Sequence, residues 1–155
     1  MDDLEYFNET ISALTMLGFT SKQQDDMLRI LAAILHLGNV DMQLRDQERE
    51  DGEVDTESSY ISSSDRHLLI LCELLGIEVS AMRKWLCHRK IVSTREVFLK
   101  PMTVEQAIGA RRLAKHIYVE LFNWIMTNIN NSLQSPSQVH CFIGVLDIYG
   151  NVLKP

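Results

Sequence analysis

Apolar positions recur along the chain mostly at helical spacing. Leu4, Phe7, Ile11, Leu14 and Leu17 return every three or four residues, which predicts an amphipathic helix that Gly18 can end. Ser21 followed by Gln24 resembles a capping box for a second helix through Met27, Ile30, Leu31, Ile34 and Leu35, stopped at Gly38. Beyond Leu28 this helix is apolar on more than one side, so it is expected to be largely buried. Asp65 can cap a third helix through Leu68, Leu69, Leu71, Leu74 and Leu75, closed by Gly76. Ser80 opens a shorter helix carrying Met82, Trp85 and Leu86.

The pattern then changes period. Lys90–Lys100 alternates β-branched and aromatic residues around a polar centre, which predicts a hairpin-like loop ended by Pro101. Thr103 with Gln106 forms a second capping-box signature. It precedes one long helix through Ala107, Ala114, Ile117, Leu121, Ile125 and Ile129, about 30 residues and about 45 Å. After Ser135-Pro136-Ser137, the run Cys141–Ile148 is apolar without alternation, as expected of a strand covered on both faces. The chain supplies no second strand of that kind, so this one calls for neighbours from elsewhere. The fold class expected is mainly α, with a short hairpin-like loop and one C-terminal apolar strand.

Composition alters this picture in two places. Residues 45–64 hold seven acidic side chains from Asp46 to Glu57 and then a serine-rich stretch, too little apolar surface to offset ordering entropy, so a disordered acidic loop is expected. A calcium loop there fails because counting back from Gly52 places Gln47 and Arg49 where carboxylates are needed. The net charge of −6 also divides sharply. Residues 1–82 carry −12, residues 83–116 carry +7 and the remainder −1. A basic segment within an acidic chain points to contact with an acidic partner, against the plainer reading of a solvated face.

Several classes find no support. No apolar run reaches the roughly 18 residues of a membrane span, and the acidic start Met1-Asp2-Asp3 does not resemble a secretory signal, so a soluble, intracellular chain without membrane insertion is expected. Cys72, Cys87 and Cys141 form no CxxC pair, and Cys87-His88 and His140-Cys141 lack partners at ligand spacing, so no metal site is expected. No GxxxxGK[ST], GxGxxG, nucleophile elbow or HExxH occurs, and Gly109–Lys115 sits mid-helix where its amides are already bonded. No catalytic residue is nominated.

Four blocks carry a resemblance. Ile30–Asn39, reading ILAAILHLGN, resembles a signature of myosin motor domains. Trp85–Lys90, reading WLCHRK, is similar to the entry to the actin-contacting loop in class V myosins. Leu113–Tyr118 with Leu121–Ile125 resembles the long helix after that loop, and Phe142–Gly150 resembles the last strand before the switch II turn. They stand in the family's order and cover residues 1–150, with 151–155 a divergent tail.

The resemblance implies a helical segment of the upper actin-binding subdomain, between switch I and switch II of a P-loop NTPase-type α/β motor core. It implies that Lys84, Arg89, Lys90, Arg95 and Lys100 contact actin filaments, weakly and with salt dependence. It implies that Asp147 and Gly150 are a switch II remnant that senses nucleotide, although Asn151 and Val152 replace the family's Phe and Glu. ATP and magnesium are the family's cofactors. Phosphoryl transfer needs a lysine, a metal and positioned amides, so this chain alone is expected to bind neither and to lack ATPase activity. The family role is ATP-driven cargo or vesicle transport along actin in the cytoplasm. The chain is expected to be a truncated product that needs the remainder of a motor. The alternative is an autonomous helical actin-interaction module using residues 84–100. Nothing points to nucleic acid.

Overall fold

The computed structural model describes residues 2–44, 58–93, 96–110, 112–134 and 144. The helix α1 (Asp3–Met16) starts at Asp2, whose carboxylate accepts the Leu4 amide, and stops before Gly18, whose φ of +88° suits glycine. Its apolar positions are where periodicity places them, yet none of its residues is buried.

The helix α2 (Ser21–Asn39) is capped one residue earlier than the sequence suggests. Thr20 Oγ1 accepts the Gln23 amide while Gln23 Oε1 accepts the Thr20 amide, so the box is Thr20–Gln23 rather than Ser21–Gln24. Gly38 does not stop it; the helix runs to Asn39. The expectation of near-complete burial also needs correction. Met27, Ala33 and Leu37 are buried, but Leu35 is 70% exposed and Leu28 39% exposed. One stripe of the helix meets the core, and the opposite stripe is apolar without cover among the described residues.

Two short strands, β1 (Gln43–Leu44) and β2 (Ser59–Tyr60), pair antiparallel. The end of the expected acidic loop is therefore built into the fold: Ser58 and Ser59 are buried and Ile61 is fully so. Ile61 in the core, the pairing with β1 and the Ser59 amide on Met102 O anchor it together. Residues 45–57 lie outside the described residues.

In α3 (Arg66–Leu75), Asp65 Oδ1 accepts the Leu68 amide at 2.7 Å. Gly76, at φ +64°, closes the helix in a Schellman arrangement, with its own N–H on Glu73 O and the Ile77 N–H on Cys72 O. The helix α4 (Val79–Cys87) begins one residue before Ser80, where the sequence suggests it opens. Glu78 is its cap and accepts the Ser80 and Ala81 amides.

Strands β3 (His88–Val92) and β4 (Val97–Pro101) form the expected hairpin. Thr103 and Gln106 make the reciprocal capping bonds at the start of α5 (Val104–Ala110), and α6 (Arg112–Leu133) follows. The expected long helix is thus described as two runs on either side of residue 111. The apolar run 141–148 falls outside the described residues except for Gly144.

Two clusters hold these parts together. In the larger one, Leu37, Ile61, Leu68, Leu71, Met82 and Leu86 join α2, α3, α4 and the segment after β2. In the smaller one, Phe19, Met27 and Leu121 join α2 to α6, with the Phe19 and Trp124 rings edge to face at 5.8 Å. Among the described residues the fold is mainly helical with two small antiparallel sheets.

Candidate functional site

The basic segment falls on the hairpin. Its base is fixed from three directions. The Met102 amide donates to Cys87 O at 2.8 Å, the Ser59 amide donates to Met102 O at 2.7 Å, and Ser58 bridges Thr103. Behind the base, Arg83 Nε donates to Ile61 O at 2.8 Å, and its guanidinium lies 5.3 Å from the centre of the Tyr60 ring. Arg83 is therefore spent on holding β2 to α4, although charge counting groups it with the other cations.

From this anchored base the strands run clear of the body, and every described residue from Arg89 to Pro101 is exposed. Five residues per strand give a ribbon about 17 Å long. The register pairs His88 with Pro101, Arg89 with Lys100, Lys90 with Leu99, Ile91 with Phe98 and Val92 with Val97. Directly opposed residues share a face. One face therefore carries Arg89, Lys100, Ile91 and Phe98, and the other carries Lys90, Leu99, Val92 and Val97. The Ser93 amide on Glu96 O, 2.9 Å, continues the ladder toward the tip.

Lys84, on the last turn of α4, is exposed and adds a fourth cation near the base, where it also complements the helix C-terminus. Lys84, Arg89, Lys90 and Lys100 are thus gathered on one ribbon and its root. Arg95, Asp147 and Gly150, nominated with them by the resemblance, lie outside the described residues. None of the four described cations has a carboxylate within ion-pair distance among the described residues.

Sequence reasoning nominated the cations and missed their apolar neighbours. Ile91, Val92, Val97, Phe98 and Leu99 are 38 to 71% exposed. The available signal was Val97-Phe98-Leu99: three consecutive apolar residues in a strand put apolar surface on both faces. A lone two-stranded ribbon is marginally stable in water, and this one leaves apolar surface open on both of its sides.

At the root of the ribbon, Ser59, Arg83, Lys84 and His88 line a pocket of about 210 Å³. Ser58 Oγ, Ser59 Oγ and His88 Nδ1 are buried and find no hydrogen-bond partner among the described residues. Such atoms are uncommon in folded proteins, and they place unsatisfied polarity beside the hairpin. A separate apolar groove of about 520 Å³ lies between α2 and α6, along Met27, Ile30, Leu121 and Trp124, and has no part in the basic surface.

Among the described residues no group of three His, Cys, Asp or Glu side chains converges to hold a metal, and no helix is long and apolar enough to cross a membrane. The chain matches the family model described as the myosin head (motor domain) over residues 1–153. It is 49% identical over 151 residues to unconventional myosin-Vb of Rattus norvegicus, 97% of this chain and 8% of that protein. Over the same shares it is 45% identical to unconventional myosin-Va of Homo sapiens. It is 49% identical over 143 residues to unconventional myosin-Vc of Homo sapiens, 92% of this chain and 8% of that protein. The chain therefore spans less than a tenth of the length of these relatives.

Proposed function

Since the chain belongs to the myosin motor-domain family, with class V myosins among its relatives, we propose that it is the actin-facing segment of an actin-based, ATP-driven motor, and that the β3–β4 hairpin is its actin contact. The observation that carries this reading is the ribbon itself: anchored at its root, exposed on both faces, cationic and apolar together, and without an acidic partner among the described residues.

The ribbon divides the work by range. Arg89, Lys90 and Lys100, with Lys84 at the root and with Arg95 from the same basic segment, attract an acidic filament over a Debye length, about 8 to 10 Å at physiological salt. This raises the rate of encounter more than it holds the complex. Ile91, Val92, Phe98 and Leu99 act at contact, where burying apolar surface contributes about 25 cal/mol per Å² and is insensitive to salt. A filament carboxylate between Arg89 and Lys100 relieves a repulsion already present in the free ribbon.

The same reading assigns the segment to the upper actin-binding subdomain of a cytoplasmic motor that carries cargo on the actin cytoskeleton. Exposed apolar side chains on α1 and α6, including Leu4, Phe7, Tyr118 and Phe122, then face the remainder of the motor. Asp147 and Gly150 are assigned to the nucleotide-sensing turn. The described residues do not fit magnesium-ATP: they bring no three metal-ligating side chains together, and the sequence has no GxxxxGK[ST]. Nucleotide chemistry is assigned to the rest of the motor.

Cosedimentation of the chain with actin filaments, beside an Arg89→Ala/Lys90→Ala variant, tests the proposal. Pelleting that falls with the double substitution supports it, and equal pelleting of the two overturns it.

A further inference from the structure

Away from the hairpin, α2 and α3 bring two histidines face to face. His36 Nδ1 and His67 Nδ1 are 2.9 Å apart, with ring centroids 5.1 Å apart and planes inclined by 40°. Both rings are half-buried, and neither belongs to the hairpin. Their approach is held by the core beneath them, where Leu37 from α2 packs with Leu68 and Leu71 from α3. A pair presented by two packed helices is positioned before any ligand arrives.

Two imidazole nitrogens at hydrogen-bond distance must share one proton between them, one ring donating Nδ1–H to the lone pair of the other. The same two nitrogens are transition-metal ligands when unprotonated. The spacing suits a pair of ligands in cis positions. Two metal–nitrogen bonds of about 2.05 Å meeting at a right angle span about 2.9 Å, whereas a tetrahedral angle spans about 3.3 Å. The 2.9 Å separation already matches the cis span of a tetragonal site, the geometry Cu(II) favours, so little ring movement is needed, and Cu(II) stands at the top of the affinity order for nitrogen ligands.

We propose that His36 and His67 form a two-histidine site for a divalent transition-metal ion of the Cu(II) type, bound through both Nδ1 atoms in cis positions. Water fills the remaining positions, because among the described residues no third His, Cys, Asp or Glu joins the pair. The proton now shared between the rings leaves the donor Nδ1 and is taken up at that ring's Nε2 through solvent. Both rings then bind as neutral ligands without net proton release. Since the site exists only while α2 and α3 are packed, the ion binds the folded chain and stabilises it.

The whole chain titrated with Cu(II) alone, at a pH where histidine is neutral, tests this. One equivalent is expected to bind, with an electron paramagnetic resonance spectrum showing two equatorial imidazole nitrogens and a raised melting temperature. His36→Gln and His67→Gln are each expected to weaken binding about tenfold or more and to leave a single nitrogen in the spectrum. His116→Gln, an exposed histidine on α6, is expected to leave binding unchanged. A one-nitrogen spectrum for the wild-type chain overturns the proposal without reliance on any variant's folding. Undiminished binding by either glutamine variant overturns it as well.

Discussion

Arg89 and Lys100 stand directly opposite each other on one face of the β3–β4 ribbon, two positive charges in a cross-strand pair with no carboxylate beside either among the described residues. Like charges so placed oppose strand pairing, by about 0.2–1 kcal/mol in exposed sheets. The ribbon is thus slightly less stable than its sequence need make it, at the position where an acidic partner would reverse the sign.

That arrangement predicts a separation of stability from binding. Replacing Arg89 with alanine should leave the melting temperature unchanged or slightly higher while weakening actin pelleting. Thermal melts followed by circular dichroism, run beside cosedimentation, check both halves. A clear loss of stability would mean that Arg89 serves the fold.

Phe98 and Leu99 should behave differently. Each is about half exposed, so alanine at either position should change stability by about 0.5 kcal/mol or less. Their loss should reduce actin pelleting even in high salt, where the contribution of the cations is screened. Pelleting in high salt that is unchanged by Phe98→Ala with Leu99→Ala would remove the apolar half of the contact.

Core substitutions give the scale for comparison. Leu71 is 1% exposed within the larger cluster, so Leu71→Ala should cost about 2–5 kcal/mol. Denaturant titration measures this as a shift in midpoint.

At Gly76 the cost is in the backbone alone. Its φ is +64°, and a β-carbon there would meet nothing within 4 Å. Gly76→Ala should therefore destabilise by about 1–2 kcal/mol, the cost of a left-handed conformation for an L residue. A neutral result would show that α3 can end in another way.

Glu78 gives a pH dependence with a definite sign. The Ser80 hydroxyl, then the Ser80 and Ala81 amides, hold its carboxyl below its ordinary value of 4.5. A carboxyl lowered on folding stabilises the chain above its unfolded pKa, and that contribution is lost as pH falls through the folded value. Glu78→Ala should therefore melt lower than wild type at pH 7, and the gap should close as pH is taken below 4.5. Parallel melts from pH 7 to pH 3 follow the closure.

These elements differ in how legible they were. Asp65, Gly76 and the Thr103–Gln106 box could be read directly, because a cap is a local relation over three or four residues. The first box was misplaced by one residue because Thr20 and Ser21 are both good caps and only backbone geometry chooses between them. Leu4, Phe7, Leu28 and Leu35 lie on helix faces that are apolar in the sequence, yet they stay exposed. Periodicity reports which face is apolar and says nothing of what covers it.

Within the candidate site, charge identified Arg89, Lys90 and Lys100 but could not give their register. The opposition of Arg89 to Lys100 belongs to a strand register that the Ser93 amide on Glu96 O continues. Nor could sequence show that Arg83 is occupied by Ile61 and Tyr60, or that His36 meets His67 across 31 positions. Those are tertiary relations, set when helices pack.

The hairpin as the actin contact is tested most directly by cosedimentation across a salt series, comparing the wild-type chain with Arg89→Ala/Lys90→Ala and with Lys22→Ala on α2. The account predicts wild-type pelleting that falls steeply with salt, a weaker and flatter dependence for the hairpin variant, and wild-type behaviour for Lys22→Ala. Pelleting that is insensitive to salt, or that Lys22→Ala reduces as much as the hairpin variant does, would contradict it.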